Sequence, residues 1–336
     1  MQFETGKPSL VQSSGSWSVV ATVRTTPALA RLFSNHYLSL GADEVFLFHD
    51  DPRHAFRMDA PRVRTTICDA EWWSGNRPDG LEDRQQANAT SARKWCKSTW
   101  LLHCDIDELL WSKRPVRDIL GELPHDTGGV IVRPAEAVYA HAPTPDGVFG
   151  TPFFKFFRPE KGQPGGFPGL SQKAFGDIWH ASRRGFWAHV GGKSFIRKEV
   201  PIKRVPLHMI RREKMKGFAM RHVAEDMILR HYDILSFEEW RDKHMRRINS
   251  EVQVPLAGPL RQKQQDLIVE ALRHPDKDAL YRLYLRMAVL PPETLAECVA
   301  HGYVRTITPE RHLMDYRAAP DEQTETRAEV ACLSAN

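Results

Sequence analysis

The residues best placed to do chemistry are Asp105, Asp107 and Glu108, which with Ile106 follow directly on the apolar run Trp100-Leu101-Leu102-His103. Carboxylates that close to a buried strand are costly unless something pairs with them. In a strand or its immediate extension, residues two apart point the same way, so Asp105 and Asp107 are expected to present their oxygens to one side. Two hard oxygen ligands on one side suit Mg²⁺ or Mn²⁺ bridging a diphosphate. Such an ion neutralises the charge that develops on a departing nucleoside diphosphate. Glu108 then orients a ligand from behind. Asp-x-Asp is common in solvated turns; the apolar strand before this one and the pair Leu109-Leu110 after it argue for a site.

The elements that must carry this motif read as an alternating α/β chain. Residues 18–23 are a β-branched run, and Thr26-Pro27 supplies a helix cap with proline at the first helical position. Leu29, Leu32, Phe33, Tyr37 and Leu40 have helical spacing, Gly41 offers a stop, and residues 45–48 resume as a buried strand. Strand, crossover helix and strand imply a parallel sheet, with ligands beyond the carboxyl ends of its strands. A third strand is expected over 62–68, a helix over 81–98 and the motif strand over 99–103. Short β runs follow at 128–132, 153–157 and 194–197, with a Gly- and Pro-rich loop at 162–169. The clearest later helices are expected over 224–232, 237–249, 260–273 and 278–288. The domain reading is a flexible arm at 1–16, a catalytic domain at 17–216, a helical region at 217–317 and a disordered tail at 318–336.

Further pieces accompany the motif in chain order. They are Val20-Ala21-Thr22-Val23-Arg24, Phe46-Leu47-Phe48-His49-Asp50-Asp51, Arg84-Gln85-Gln86 and Gly192-Lys193-Ser194-Phe195-Ile196-Arg197. The last is His231-Tyr232-Asp233-Ile234-Leu235-Ser236-Phe237-Glu238-Glu239-Trp240. Over residues 17–243 the series resembles the GT-A glycosyltransferases, in particular the family 2-like group whose members carry a DxDEF-like element. Leu109 stands where that group commonly has Phe, and Asp50-Asp51-Pro52 replaces a longer turn.

The resemblance implies an α/β fold of GT-A, Rossmann-like type, with a mixed sheet and a C-terminal helical extension. It implies Mn²⁺ or Mg²⁺, a nucleotide-sugar donor such as a UDP-sugar, and an inverting transfer to a glycan or glycolipid in surface polysaccharide assembly. Thr22 and Arg24 would border the base or ribose, and Asp50 or Asp51 would accept its hydrogen bonds. Arg84 and Lys193 would meet phosphate. A third metal ligand would come from His208 or His231; His208 is preferred because it ends what reads as a strand. The acceptor base is sought among Glu136, Asp177, Glu225 and Asp226, with Glu136 first and Asp177 set near Trp179 and Trp187, rings suited to sugar stacking.

Composition bounds these readings. The 336 residues are 41% apolar and 26% charged, ordinary for a globular protein, and no run approaches a membrane span. The first residues lack an apolar leader, which points to a cytoplasmic protein. Cys68, Cys96, Cys104, Cys298 and Cys332 are scattered, with neither disulfide nor zinc spacing. Lys203, Arg204, Arg211, Arg212, Lys214, Lys216 and Arg221 form a basic stretch fit for an anionic membrane surface. A nucleic-acid binder using that stretch is a competing reading, disfavoured by the acidic motif. A phosphatase with Asp105 as nucleophile is another, disfavoured because Glu108 and Leu109 replace the small residues such a site needs.

Overall fold

The computed structural model describes residues 15–157, 168–208, 215–222, 226–249 and 258–317. In chain order they form β1 (Trp17–Val23), α1 (Pro27–Ser39), β2 (Val45–His49), β3 (Val63–Ile67), α2 (Leu81–Trp95), β4 (Trp100–His103), β5 (Glu108–Ser112), α3 (Val116–Gly121), β6 (Thr127–Ala137) and β7 (Phe153–Phe156). There follow α4 (Pro168–Phe175), β8 (Lys193–Arg197), β9 (Ala219–His222), β10 (Met227–His231), α5 (Phe237–Ile248), α6 (Pro259–Arg273), α7 (Ala279–Ala288), α8 (Pro292–Ala300), β11 (Val304–Thr306) and α9 (Arg311–Met314). Most of the expected arm and of the 162–169 loop, with Arg211, Arg212, Lys214, Glu225 and the tail, lie outside the described residues.

The fold is mixed α/β. One sheet runs in the order β11-β7-β6-β8-β4-β1-β2-β3, with β9 and β10 also paired to β6 and β5 paired to β10. β1, β2, β3 and β4 are mutually parallel neighbours, whereas β8 enters antiparallel between β4 and β6. The chain passes from β1 outward to β2 and β3, then returns to β4 on the other side of β1. That reversal opens a crevice at the carboxyl ends of β1 and β4, the usual ligand position in such sheets.

Side-chain alternation explains why β1 sits there. Trp17, Val19, Ala21 and Val23 pack on one face with Leu29, Phe33 and Tyr37 of α1. Val20 packs on the other face with Phe46, Phe48, Leu101, Ala89 and Ala92. With both faces covered, β1 is apolar almost throughout, as a strand flanked by helices must be. The cap of α1 is the expected one: Thr26 Oγ1 accepts from the Leu29 N–H at 3.3 Å. Gly41, with φ +90°, makes the turn out of the helix.

The second half departs from the expectations. The described part of the helix expected over 224–232 is not helical; Met227–His231 is β10, antiparallel to β5 and parallel to β6. Ala224, Met227, Leu229 and Arg230 favour helices, but pairing on both edges with Met227 and Leu229 fully buried outweighs that local preference. β6 is also longer than its expected five residues, so Glu136 lies within the strand instead of after it. Its first part is held between β8 and β9, and its second part between β7 and β10. β9, β10 and β11 all follow residue 216, so the sheet draws on the region expected to be helical. Helices over 237–248, 259–273 and 279–288 are present as expected. Among the described residues no helix is long and apolar enough to cross a membrane, and the four described cysteines are free.

Candidate functional site

β4 delivers the acidic motif to the crevice, but its extended geometry stops there. The Glu108 N–H donates to the Asp105 carbonyl at 3.1 Å, and the Asp105 N–H donates to Glu108 Oε2 at 2.8 Å. This closed turn sends Asp105 and Asp107 in different directions, against the expectation of two ligands on one side. Glu108 then starts β5, facing His231 across the β5–β10 pair. The Tyr232 N–H donates to the Asp107 carbonyl at 2.9 Å and fastens the turn to the end of β10.

Asp105 turns toward α2 and β8. Its Oδ2 accepts from Lys193 Nζ at 2.7 Å and its Oδ1 from Gln85 Nε2 at 3.0 Å. Lys193 Nζ also lies 3.4 Å from Glu108. Gly192 permits this approach: a Cβ there would lie 2.0 Å from the Val132 carbonyl oxygen. Burial opposes the charge on Asp105, yet Lys193 outweighs it and holds the carboxyl below its usual range. Burial wins at Glu108, whose carboxyl is pushed up to about 7 despite Lys193.

Asp107 turns toward β10 and α5. His231 Nε2 lies 3.7 Å from Asp107 Oδ1 and 3.9 Å from Asp233 Oδ1. One ligand atom from each of Asp107, His231 and Asp233 falls within 4.8 Å of the others, so the three could hold a metal ion. Carboxylate, imidazole and carboxylate form a donor set suited to Mn²⁺. Lys243 of α5 stands at the edge of the group, 2.8 Å from Asp233 Oδ1 and 3.7 Å from Asp107 Oδ2. Burial works against the His231 charge, but Asp107 more than compensates and raises the imidazole to about 9. Asp107 is held low in turn, burial being outweighed by His231 and Lys243.

Sequence reasoning named His231 but preferred His208. Residues 201–208 form no strand; the His208 Nδ1 lies 2.9 Å from the Gly192 carbonyl oxygen and its ring stacks on His189 at 3.9 Å. The group that could hold a metal contains His231 and not His208. Asp233 and Lys243 were missed, although a period of two along β10 and its extension puts Asp233 on the His231 side.

The other expected residues gather at the same rim with their valences largely filled. Thr22 Oγ1 accepts from Asn88 Nδ2 at 3.0 Å. Asp50 accepts from Arg84 Nε at 2.7 Å and Nη2 at 3.0 Å, and Arg84 Nη1 donates to the carbonyls of Pro78 and Asp79. Arg84 is thus committed to Asp50 and a loop, not free for phosphate. Asp51 is paired with Arg53 and His54 and lies 3.8 Å from Arg24. Three residues of α2 therefore reach three strand ends: Arg84 to β2, Asn88 to β1 and Gln85 to β4.

Glu136, sought first as the acceptor base, is enclosed by its own partners. Glu136 is 1% exposed; it accepts from Lys155 Nζ at 2.7 Å and from the N–H groups of Trp187 and Ala188. It belongs to a row of alternating charge across the floor of the sheet, Glu108, His231, Glu136 and Lys155, on neighbouring strands in register. Asp177 is exposed and paired with Arg286. Asp226 lies before the opposite end of β10 from His231, 3.9 Å from Arg114. Of the basic stretch, Arg204 pairs with Asp83 and Arg221 with Asp126.

No family model and no curated protein matches this sequence. Among solved structures, the chain is similar to the crystal structure of residues 1–349 of S. aureus TarS. The identity is 13% and the TM-score 0.33, over 81% of this chain and 71% of that one. Sheets of many α/β proteins agree to that degree, so the chemistry rests on the side chains.

Proposed function

We propose that this protein is a metal-dependent glycosyltransferase of GT-A type, moving a sugar from a nucleoside diphosphate, UDP foremost, to a glycan or glycolipid acceptor. The observation that carries this reading is the Asp107–His231–Asp233 group at the end of parallel strands, where the sheet order reverses. A divalent ion bound there supplies positive charge for a diphosphate leaving group. The protein's own residues supply the frame. Asp107, His231 and Asp233 hold the ion; Lys193 keeps Asp105 and Glu108 in place; Thr22, Arg24, Asp50 and Asp51 line the nucleoside end of the rim. Arg84 acts through Asp50, fixing the carboxylate that meets the ribose.

The test is calorimetric titration of UDP, then GDP, with and without Mn²⁺. Binding of one nucleotide is expected only with metal, and is lost in the double variant Asp105→Ala/Asp107→Ala. Failure of UDP, GDP, the remaining nucleoside diphosphates and CMP to bind with metal present would remove the transferase reading.

A further inference from the structure

α5 carries more positive charge into the site than the carboxylates there can use. Ser236 caps the helix by accepting from the Glu239 N–H at 3.3 Å. Trp240, Lys243, His244 and Arg247 follow at positions that share one helix face. Lys243 is committed: its ammonium donates to the carboxylate and to the carbonyl of Asp233. Arg247, one turn further on, is not. Its Nη1 is buried and without a hydrogen-bond partner, as is Nδ1 of His244 beside it. Among the described residues nothing forms an ion pair with the Arg247 guanidinium. Arg261 of α6 repels it, while Asp233 and Asp107 attract it. Those carboxylates already serve Lys243 and His231. Burial and Arg261 together lower the guanidinium to about 10. Arg247 is half-buried, with Nη1 enclosed and unbonded while the rest of the side chain reaches solvent, so an anion arriving from solvent can reach it and bond the enclosed nitrogen.

Position along the rim indicates which anion. From β2 the rim passes Asp50, then Thr22 on β1, then Asp105 and Asp107 after β4, then His231 and Asp233 at β10, and reaches α5 last. A donor lying with its nucleoside at β2 and its diphosphate at Asp107 leaves α5 on the far side, where the acceptor approaches. A guanidinium fits two oxygens of a phosphate at once.

We propose that Arg247, flanked by Lys243 and Arg261, forms an anion subsite for a phosphate-bearing acceptor, adjoining the Asp107–His231–Asp233 group. This rests on the transferase reading for the identity of the occupant but not for the existence of the subsite.

The test follows thermal midpoints in inorganic phosphate for the intact protein, Arg247→Met and Arg247→Lys, each alone and saturated with UDP and Mg²⁺. Phosphate at about ten times its dissociation constant is expected to raise the intact midpoint by about 2–4 °C, to raise Arg247→Lys by less, and to leave Arg247→Met unmoved. In phosphate-free buffer Arg247→Met is expected to melt no lower than the intact protein, because it removes a half-buried cation whose enclosed Nη1 has no hydrogen-bond partner. The shift persists with UDP bound if the subsite serves the acceptor. Equal shifts in intact protein and Arg247→Met overturn the subsite. Loss of the shift once UDP is bound overturns the acceptor assignment, since the anion is then the donor's own diphosphate. UDP and Mg²⁺ producing no shift of their own counts against the transferase reading, while the Arg247-dependent response to phosphate still decides the subsite.

Discussion

The acidic motif feeds two unlike half-sites. On the α2 side, Asp105, Glu108, Gln85 and Lys193 are bonded to one another, with the Lys193 side chain 3% exposed and its nitrogen shared between two carboxylates, while the Asp105 side chain stays 37% exposed. On the α5 side, Asp107, His231, Asp233 and Lys243 stand at 3.7–3.9 Å with one short contact, and the Lys243 side chain is 22% exposed. Ammonium and carboxylates at hydrogen-bond distance have no room between them for an ion. Ligand atoms slightly too far apart to bond each other do. The contrast fits a structural task for the first half and, under the transferase reading, a ligating task for the second, although both arise from a single run of four residues.

The largest expected effect breaks the first half. Lys193→Met strands Asp105 and Glu108 without their cation; solvent screens the part-exposed Asp105, so unfolding free energy should fall by about 2–3 kcal/mol. Lys243→Met leaves Asp233 with His231 3.9 Å away and should cost about 1–2 kcal/mol. Urea unfolding measures both, and equal losses would show that the halves are not distinct in kind.

The second prediction sharpens the ligating half. Asp107→Asn should weaken Mn²⁺ binding at least about 100-fold, above the range typical of partners that only orient a ligand, whereas Asp105→Asn stays under about tenfold. Titration followed by the Mn²⁺ spin-resonance signal reads both constants. A greater loss at Asp105 would return the site to the simple two-aspartate arrangement that the sequence alone suggests.

That arrangement marks where the sequence stopped being legible. β1, α1, β2 and β4 were readable because each has a regular period and a chemical stop, such as Thr26-Pro27 or Gly41. The motif was readable as acidic residues after an apolar strand, but not the turn that splits it, which depends on the Glu108 side chain folding back to the Asp105 N–H. β10 was unreadable for another reason. Its residues favour a helix, and only partners more than ninety positions away, Leu109, Leu110 and Ala135 among them, turn it into a strand. His231 and Asp233 owe their place beside Asp107 to that non-local pairing. The preference for His208 failed for the same reason, as a strand end was credited where none forms.

The last prediction uses the histidines, one of which each half keeps neutral. His103, just before Asp105, is lowered to about 3 by burial and Lys193; His244, beside Lys243, is lowered to about 3 by burial and Arg247. An unfolded histidine titrates near 6.5, so between about pH 4.5 and 6.5 the unfolded chain binds two protons that these native side chains do not. Stability must then fall as pH drops through that window. Glu108 works in the opposite sense, since its native carboxyl, raised to about 7, keeps a proton that the unfolded one releases above about 4.5. His36, His49, His189, His208 and His312, also held low by burial, act in the same sense as His103 and His244, so the histidines outweigh the one Glu108 proton and the loss exceeds about 1.4 kcal/mol per pH unit. Above neutrality the ligating half takes over. His231, raised to about 9, binds a proton in the native state that the unfolded chain has lost, so stability falls again as pH rises from about 7 to 9. Denaturant midpoints from pH 4.5 to 9 should therefore trace a maximum near neutrality. Glu108→Gln should steepen the acid limb by about 1.4 kcal/mol per unit and shorten the alkaline limb, since the Glu108 charge helps to raise His231. An acid limb unchanged in that variant would mean that Glu108 is ionised in the native protein, and that Lys193 balances two full charges in the first half.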